Sequence, residues 1–211
     1  MHKKLLFLLI LIVPNLIIGQ TIYKSLKSSK LGEERQLKIQ LPRNYDQNKD
    51  KTYPILVVLD GDYLFEPVAG NVDYYSYWED IPEMIVVGIN QSSSRESDSF
   101  YDERTFLPTG SGASFFEFIG MELIPFIESN YRTAPFRVIM GHDYTSNFIN
   151  YYLMKENPLF QGYINLSPDL APENDTLIFR SLQKSPNPIW YYLATSAEDI
   201  PVLKGGILSL D

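Results

Sequence analysis

The chain has 211 residues, enough for one domain with a sizeable core, and its 45% apolar and 21% charged residues exclude a disordered chain. It has no cysteine, which excludes a disulfide framework and a lipid-anchored lipoprotein. Its formal net charge of −8, with no basic cluster, argues against nucleic acid and anionic lipid surfaces as partners.

In chain order, residues 1–19 come first. A basic start at Lys3 and Lys4 is followed by an apolar run over residues 5–13, and Gly19 offers a cleavage site before Gln20. This pattern predicts a secretory signal peptide and export, to the periplasm or beyond. Pro14 and Asn15 break the apolar run well short of the roughly 20 residues that span a bilayer. No stable membrane span is therefore expected after cleavage. Residues 20–211 form the expected domain. They retain 16 of the 18 basic residues and all 26 acidic ones, a net charge of −10, and a single histidine, His142.

Residues 35–41, "RQLKIQL", alternate with Leu37, Ile39 and Leu41 on one face, and predict an antiparallel edge strand ending at Pro42. Five short apolar runs follow, at residues 55–59, 85–89, 137–140, 163–166 and 189–194. Most are β-branched or aromatic and lack alternation, as buried parallel strands do. Between them, residues 114–131 place Phe115, Ile119, Leu123 and Ile127 on one helical stripe. Residues 146–157 and 174–184 read as two further helices. Strands alternating with helices predict an α/β fold with a mostly parallel sheet. Its sites lie at the carboxyl ends of the strands, in the loops after Leu59, Met140 and Ala194.

The stretch Val138–Asn147, "VIMGHDYTSN", has the layout of a hydrolase nucleophile elbow: a strand end, Gly141, one residue, a candidate nucleophile and a helix. The nucleophile position holds Asp143 where an esterase carries serine, and Thr145 replaces the second small residue. Being β-branched, Thr145 is expected to strain the turn.

Other features carry less. Asp60, Asp62 and Glu66 read as a turn with solvated carboxylates and not as a metal site. No cofactor is expected. Tyr74, Tyr75, Tyr77 and Trp78 are expected in a loop near the elbow, either lining a ligand pocket or covering the sheet. The glycosylation sequons at Asn90, Asn165 and Asn174 matter only in a glycosylating host, and Asn165 falls in a predicted strand.

The segments "EERQLKIQLPRNY", "YPILVVLDGDYLF", "IVVGIN" with Arg95 following, "FFEFIGMELIPFIESNYRT", "RVIMGHD" and "PLFQGYINLSPDL" occur in this order. Together they resemble the esterase family of α/β-hydrolases, which includes enterobactin-type esterases, S-formylglutathione hydrolases and mycolyltransferase-like proteins. The resemblance covers about residues 21–200. It implies an α/β-hydrolase sheet flanked by helices and shortened at its C-terminal end. It also implies the chemistry of carboxylic ester hydrolysis or acyl transfer on a small molecule. By the same resemblance, an oxyanion hole would draw on backbone N–H groups near Gly61 and Asp62 and on that of Tyr144. Glu198 or Asp199 would occupy the acid position, and Arg95 joins Tyr74, Tyr75 and Trp78 as a pocket candidate.

Two departures limit the carry-over. Asp143 is not serine, and the family's histidine would come one helix and one strand further on than the sequence runs. The remaining histidine, His142, precedes the nucleophile and is expected to point away from it, into the sheet. A general base must come within about 2.6–3.2 Å of its proton. Three readings follow: an inactive esterase relative, a pseudo-hydrolase that binds a ligand or partner, or a working hydrolase with Asp143 as nucleophile.

Overall fold

The computed structural model describes residues 21–196 and 199. The expected signal peptide (residues 1–19) and Glu198 lie outside the described residues.

The strands are β1 (Ile22–Lys27), β2 (Glu34–Gln40), β3 (Tyr53–Val58), β4 (Ile85–Ile89), β5 (Thr133–His142), β6 (Gly162–Leu166) and β7 (Trp190–Ala194). They form one sheet in the order β1-β2-β4-β3-β5-β6-β7. The run β4-β3-β5-β6-β7 is parallel, whereas β1 and β2 are antiparallel additions on one side. All five apolar runs are strands of this parallel sheet. In β3, β4 and the carboxyl half of β5 the lack of alternation follows from burial on both faces, whereas β7 is only partly covered. On β3, Ile55 and Val57 enter the core under the larger group of helices, while Leu56 and Val58 pack on the opposite face.

The strand at residues 35–41 is present as β2 but is not the edge. β1 pairs along its outer side, from Ile22 opposite Ile39 to Lys27 opposite Glu34. Most of β1 is exposed, so its sequence shows no buried face to read.

One face of the sheet carries α1 (Phe65–Tyr77), which buries Phe65, Ala69 and Val72 against it. Pro67 and Gly70 disguise this helix in the sequence, but Pro67 sits in the first turn, where its missing N–H costs nothing. The other face carries α3 (Gly110–Phe118), a π-helical turn over Ile119–Leu123, α4 (Ile124–Asn130), α5 (Tyr144–Leu153) and α6 (Asn174–Lys184). A one-turn helix, α2 (Arg95–Asp98), follows β4.

The stripe Phe115, Ile119, Leu123, Ile127 is buried as expected. Its uniform spacing of four residues would drift by about 40° per step on a regular helix. The wider π turn absorbs part of that drift, just before Pro125, whose ring clashes with regular helical packing. No helix among the described residues is long and apolar enough to cross a membrane.

Helix α5 is buried from Thr145 to Leu153, so its polar side chains need internal partners. Ser146 Oγ and Asn150 Nδ2 both donate to Asn165 Oδ1 on β6, at 3.0 and 2.9 Å. Asn147 Oδ1 accepts from the Ala171 N–H at 2.9 Å and from Asn174 Nδ2 at 2.8 Å. These bonds hold the start of α5 over the carboxyl end of β6. They also bury Asn165 and Asn174, two of the three sequon asparagines.

Candidate functional site

β5 ends at His142, and α5 begins at Tyr144. Asp143 alone makes the turn, at φ 58° and ψ −118°. Few L-residues adopt such a conformation, and it is the strained geometry an elbow requires. The turn is fixed from both sides. The Asp143 N–H donates to the Leu166 carbonyl at 2.9 Å, and its own carbonyl accepts from Asn147 at 3.1 Å and Asp169 at 3.3 Å.

Gly141 is sterically required. A Cβ there would lie 2.6 Å from the Thr145 backbone and 2.7 Å from the Ser146 nitrogen. Thr145, expected to strain the turn, instead knits it. Its side chain is fully buried, its hydroxyl donates to Asp60 Oδ2 at 2.6 Å, and it accepts from the His142 N–H at 2.9 Å.

Asp60 follows β3 and is 1% exposed, with φ 55°. Its carboxylate also takes Arg95 Nε at 2.7 Å. From the same guanidinium, Nη2 donates to the His142 carbonyl at 2.8 Å and Nη1 reaches Asp143 Oδ2 at 3.2 Å. The cation lies 5.5 Å from the centre of the Tyr144 ring. Arg95, expected to line a pocket, thus binds the loop after β3 to the elbow. Burial works against its charge, but Asp60, Tyr63 and Asp143 outweigh that and hold its pKa above the ordinary value.

Helix α2, which carries Arg95, is anchored in turn. Arg35 Nη1 and Nη2 donate to Asp98 at 2.5 and 3.1 Å, and both side chains are buried. Gln91 connects this pair to Asp60, donating from Nε2 to Asp98 at 3.0 Å and accepting the Asp60 N–H at 2.9 Å.

The carboxylates of the loop after β3 are expected to be solvated, but Asp60 is buried, and each of the three has its own partner. Asp60 pairs with Arg95, Asp62 Oδ2 accepts the Gln91 N–H at 2.6 Å, and Glu66 pairs with Lys38 at 2.7 Å. The Gly61 N–H donates to the Ile89 carbonyl at 2.8 Å, so it does not face an oxyanion. Tyr144 opens α5, where the first backbone N–H groups have no partner within the helix.

His142 does not point into the sheet. Its Nδ1 shares a hydrogen bond of 3.0 Å with the Tyr63 hydroxyl, at the mouth of the loop after β3. Burial first, and then the charge of Asp60, push the Tyr63 pKa up to about 12, so this phenol stays protonated near neutrality. Asp199, one of the two residues expected at the acid position, closes a local turn by accepting the Ser196 N–H at 2.8 Å.

The aromatic group is not near the elbow. Tyr74, Tyr75 and Tyr77 lie in the last turn and a half of α1, with Trp78 just after it, and all four are exposed. α1 carries the chain from the carboxyl end of β3 back toward the amino end of β4, so its last turn lies at the far edge of the sheet. There, Tyr77 lines a groove of about 1450 Å³ together with Arg43, Tyr45, Lys51, Asp73 and Glu83.

Asp169, which sequence reasoning passed over, belongs to the site. It stands just past the carboxyl end of β6. Burial and then the charge of Asp143 hold its carboxyl above the ordinary carboxylate pKa. Its place after a parallel strand was the available signal.

Comparison with known proteins agrees with this architecture. Residues 28–193 match the family described as "Putative esterase". An uncharacterised protein from Capnocytophaga ochracea DSM 7271 is 28% identical with a TM-score of 0.83, over 91% of this chain and 53% of that one. An IroE-like serine hydrolase from Shewanella oneidensis is 23% identical with a TM-score of 0.67, over 90% of this chain and 78% of that one. The enterobactin esterase of Shigella flexneri is 16% identical with a TM-score of 0.66, over 90% and 49%. The chain spans about half the length of the first of these. No curated protein sequence matches it.

Proposed function

The chain belongs to the esterase family of α/β-hydrolases, and from that premise we propose that it is an exported, non-hydrolytic member whose elbow is occupied by an internal ion pair. One observation carries this reading: the nucleophile position holds a carboxylate, and that carboxylate is paired with Arg95.

Ester hydrolysis in this fold places a nucleophile at the elbow and stabilises the negative charge that develops on the carbonyl oxygen. Asp143 puts a fixed negative charge there instead. A second negative charge about 4 Å away would be disfavoured by roughly 1–4 kcal/mol, depending on solvent access. A carboxylate attacking an ester must also form an anhydride, and Arg95 draws electron density from its oxygen. The one histidine beyond the leader is bound to Tyr63 at the outer face of the loop. Export is supported by the basic and apolar pattern of residues 1–19, and the domain is assigned to residues 20–211.

A second reading is favoured by the retained elbow geometry: Asp143 as nucleophile toward an alkyl carbon, with an ester adduct as intermediate. The two readings separate experimentally. The non-hydrolytic reading expects no turnover of p-nitrophenyl acetate or butyrate above buffer. It fails if turnover is present in the wild type and lost in Asp143→Asn. A stable mass increase on Asp143 after incubation with an alkyl halide would establish the second reading.

A further inference from the structure

We propose that the elbow is a binding site for a monoanionic carboxylate group, and that Asp143 is its built-in occupant. The inference rests on the non-hydrolytic reading and names the chemical group the position is built to hold.

Arg95 is held independently of the side chain at residue 143. Its Nε is bound by Asp60, its Nη2 by the His142 carbonyl, and its face by the Tyr144 ring. Nη1 therefore stays aimed at the elbow whichever residue stands there. The contact it makes with Asp143 is 3.2 Å, longer than the roughly 2.7–2.9 Å of a well-formed guanidinium–carboxylate bond. Asp143 hangs from a backbone that is bonded on both sides, so its carboxylate can approach only by rotation about two side-chain bonds. A free carboxylate has no tether. The side chains of Arg95 and Asp143 are 25% and 30% exposed, so solvent and small solutes reach the pair. The amino end of the ten-residue helix α5 adds a positive potential on the same side.

Asp169 sets the charge of the ligand. It faces the elbow from the loop after β6, with its N–H on the Asp143 carbonyl, and its charge is disfavoured while Asp143 is ionised. A second negative charge in the site meets the same opposition. A monoanion such as formate or acetate fits, and a phosphate dianion does not.

Asp143→Gly tests the proposal, because glycine accepts φ 58° without strain and vacates the position. Its thermal midpoint is to be followed in sodium formate, with sodium chloride at equal ionic strength as reference. The expected result is a saturable rise of about 3–5 °C at ten times the half-saturating formate concentration. The wild type, whose site is filled, shows no such rise, and phosphate, at a pH high enough to make it a dianion, gives no saturable rise in either protein. The Arg95 guanidinium nitrogen resonances of the variant shift along the same formate curve. Asp143→Ser removes the carboxylate and most of the side-chain volume and serves where the glycine variant does not fold. A folded variant that gains nothing from formate beyond chloride overturns the proposal. So does an equal response in wild type and variant, or a formate response that leaves Arg95 unshifted. Ester turnover by the wild type would defeat the parent reading, whereas an absent formate response defeats this one alone.

Discussion

Arg95 Nη1 and Asp143 Oδ2 lie 3.2 Å apart, and this pair occupies the elbow between β5 and α5. The two contacts of the same guanidinium differ in kind. Toward Asp60 it meets a carboxylate that is 1% exposed, whereas toward Asp143 it meets one open to solvent.

Unequal stability costs follow. Arg95→Met leaves Asp60 buried with no cationic partner and is expected to cost about 3–5 kcal/mol. Asp143→Asn removes a partly exposed pairing and is expected to cost about 1 kcal/mol or less. Urea denaturation of the two variants checks the contrast. Equal costs would show that Asp143 is as firmly embedded in the scaffold as Asp60.

The elbow also predicts which glycines tolerate alanine. Gly141→Ala drives a Cβ to 2.6 Å from the Thr145 backbone, and the expected loss is about 1–3 kcal/mol or more. Gly70 lies within α1, and a Cβ there meets nothing within 4 Å. Gly70→Ala should therefore stabilise by about 0.5–1 kcal/mol. Melting curves of the two variants should move in opposite directions.

Substituting the nucleophile alone is not expected to create an esterase. In Asp143→Ser, Arg95 still faces the position, and His142 still pairs with Tyr63. Turnover of p-nitrophenyl acetate should stay at the buffer rate. A gain of about a hundredfold or more, the lower end of what a general base contributes, would show that a working base is already in place.

Asp169 gives a pH signature. Its folded pKa is raised above the ordinary 3.8 by burial and by Asp143. Above 3.8 the unfolded chain loses this proton first, so the folded state holds more protons and stability falls as pH rises through the folded value. Asp169→Asn removes that loss. It should be more stable than wild type near neutrality, with the advantage vanishing below pH 3.8. In Asp143→Asn the carboxyl of Asp169 should titrate lower than in wild type, which a carbon-detected carboxyl titration would read directly.

Much of the fold was legible because its signals are local. Each parallel strand is apolar on both faces, and that condition is written into five or six adjacent residues. The elbow was legible because Gly141 and the strand-to-helix change lie within a few residues. Helix α1 was not, since Pro67 and Gly70 mask a stripe of only three buried residues. The outer strand β1 was hidden for the opposite reason, having almost no buried face.

The sequence by itself determined which side chain stands at the nucleophile position, that His142 is the one histidine after His2, and that a parallel α/β sheet carries the elbow. The tertiary structure decided what that side chain meets. Asp60, Arg95, Asp143 and Asp169 are spread over 110 residues, yet each follows the end of a different strand. They converge because β4, β3, β5 and β6 are neighbours in the sheet, an order set by long-range pairing that no local periodicity records. The same order sent the tyrosines of α1 to the far edge. A crossover helix delivers its last turn to the end of the sheet opposite the site.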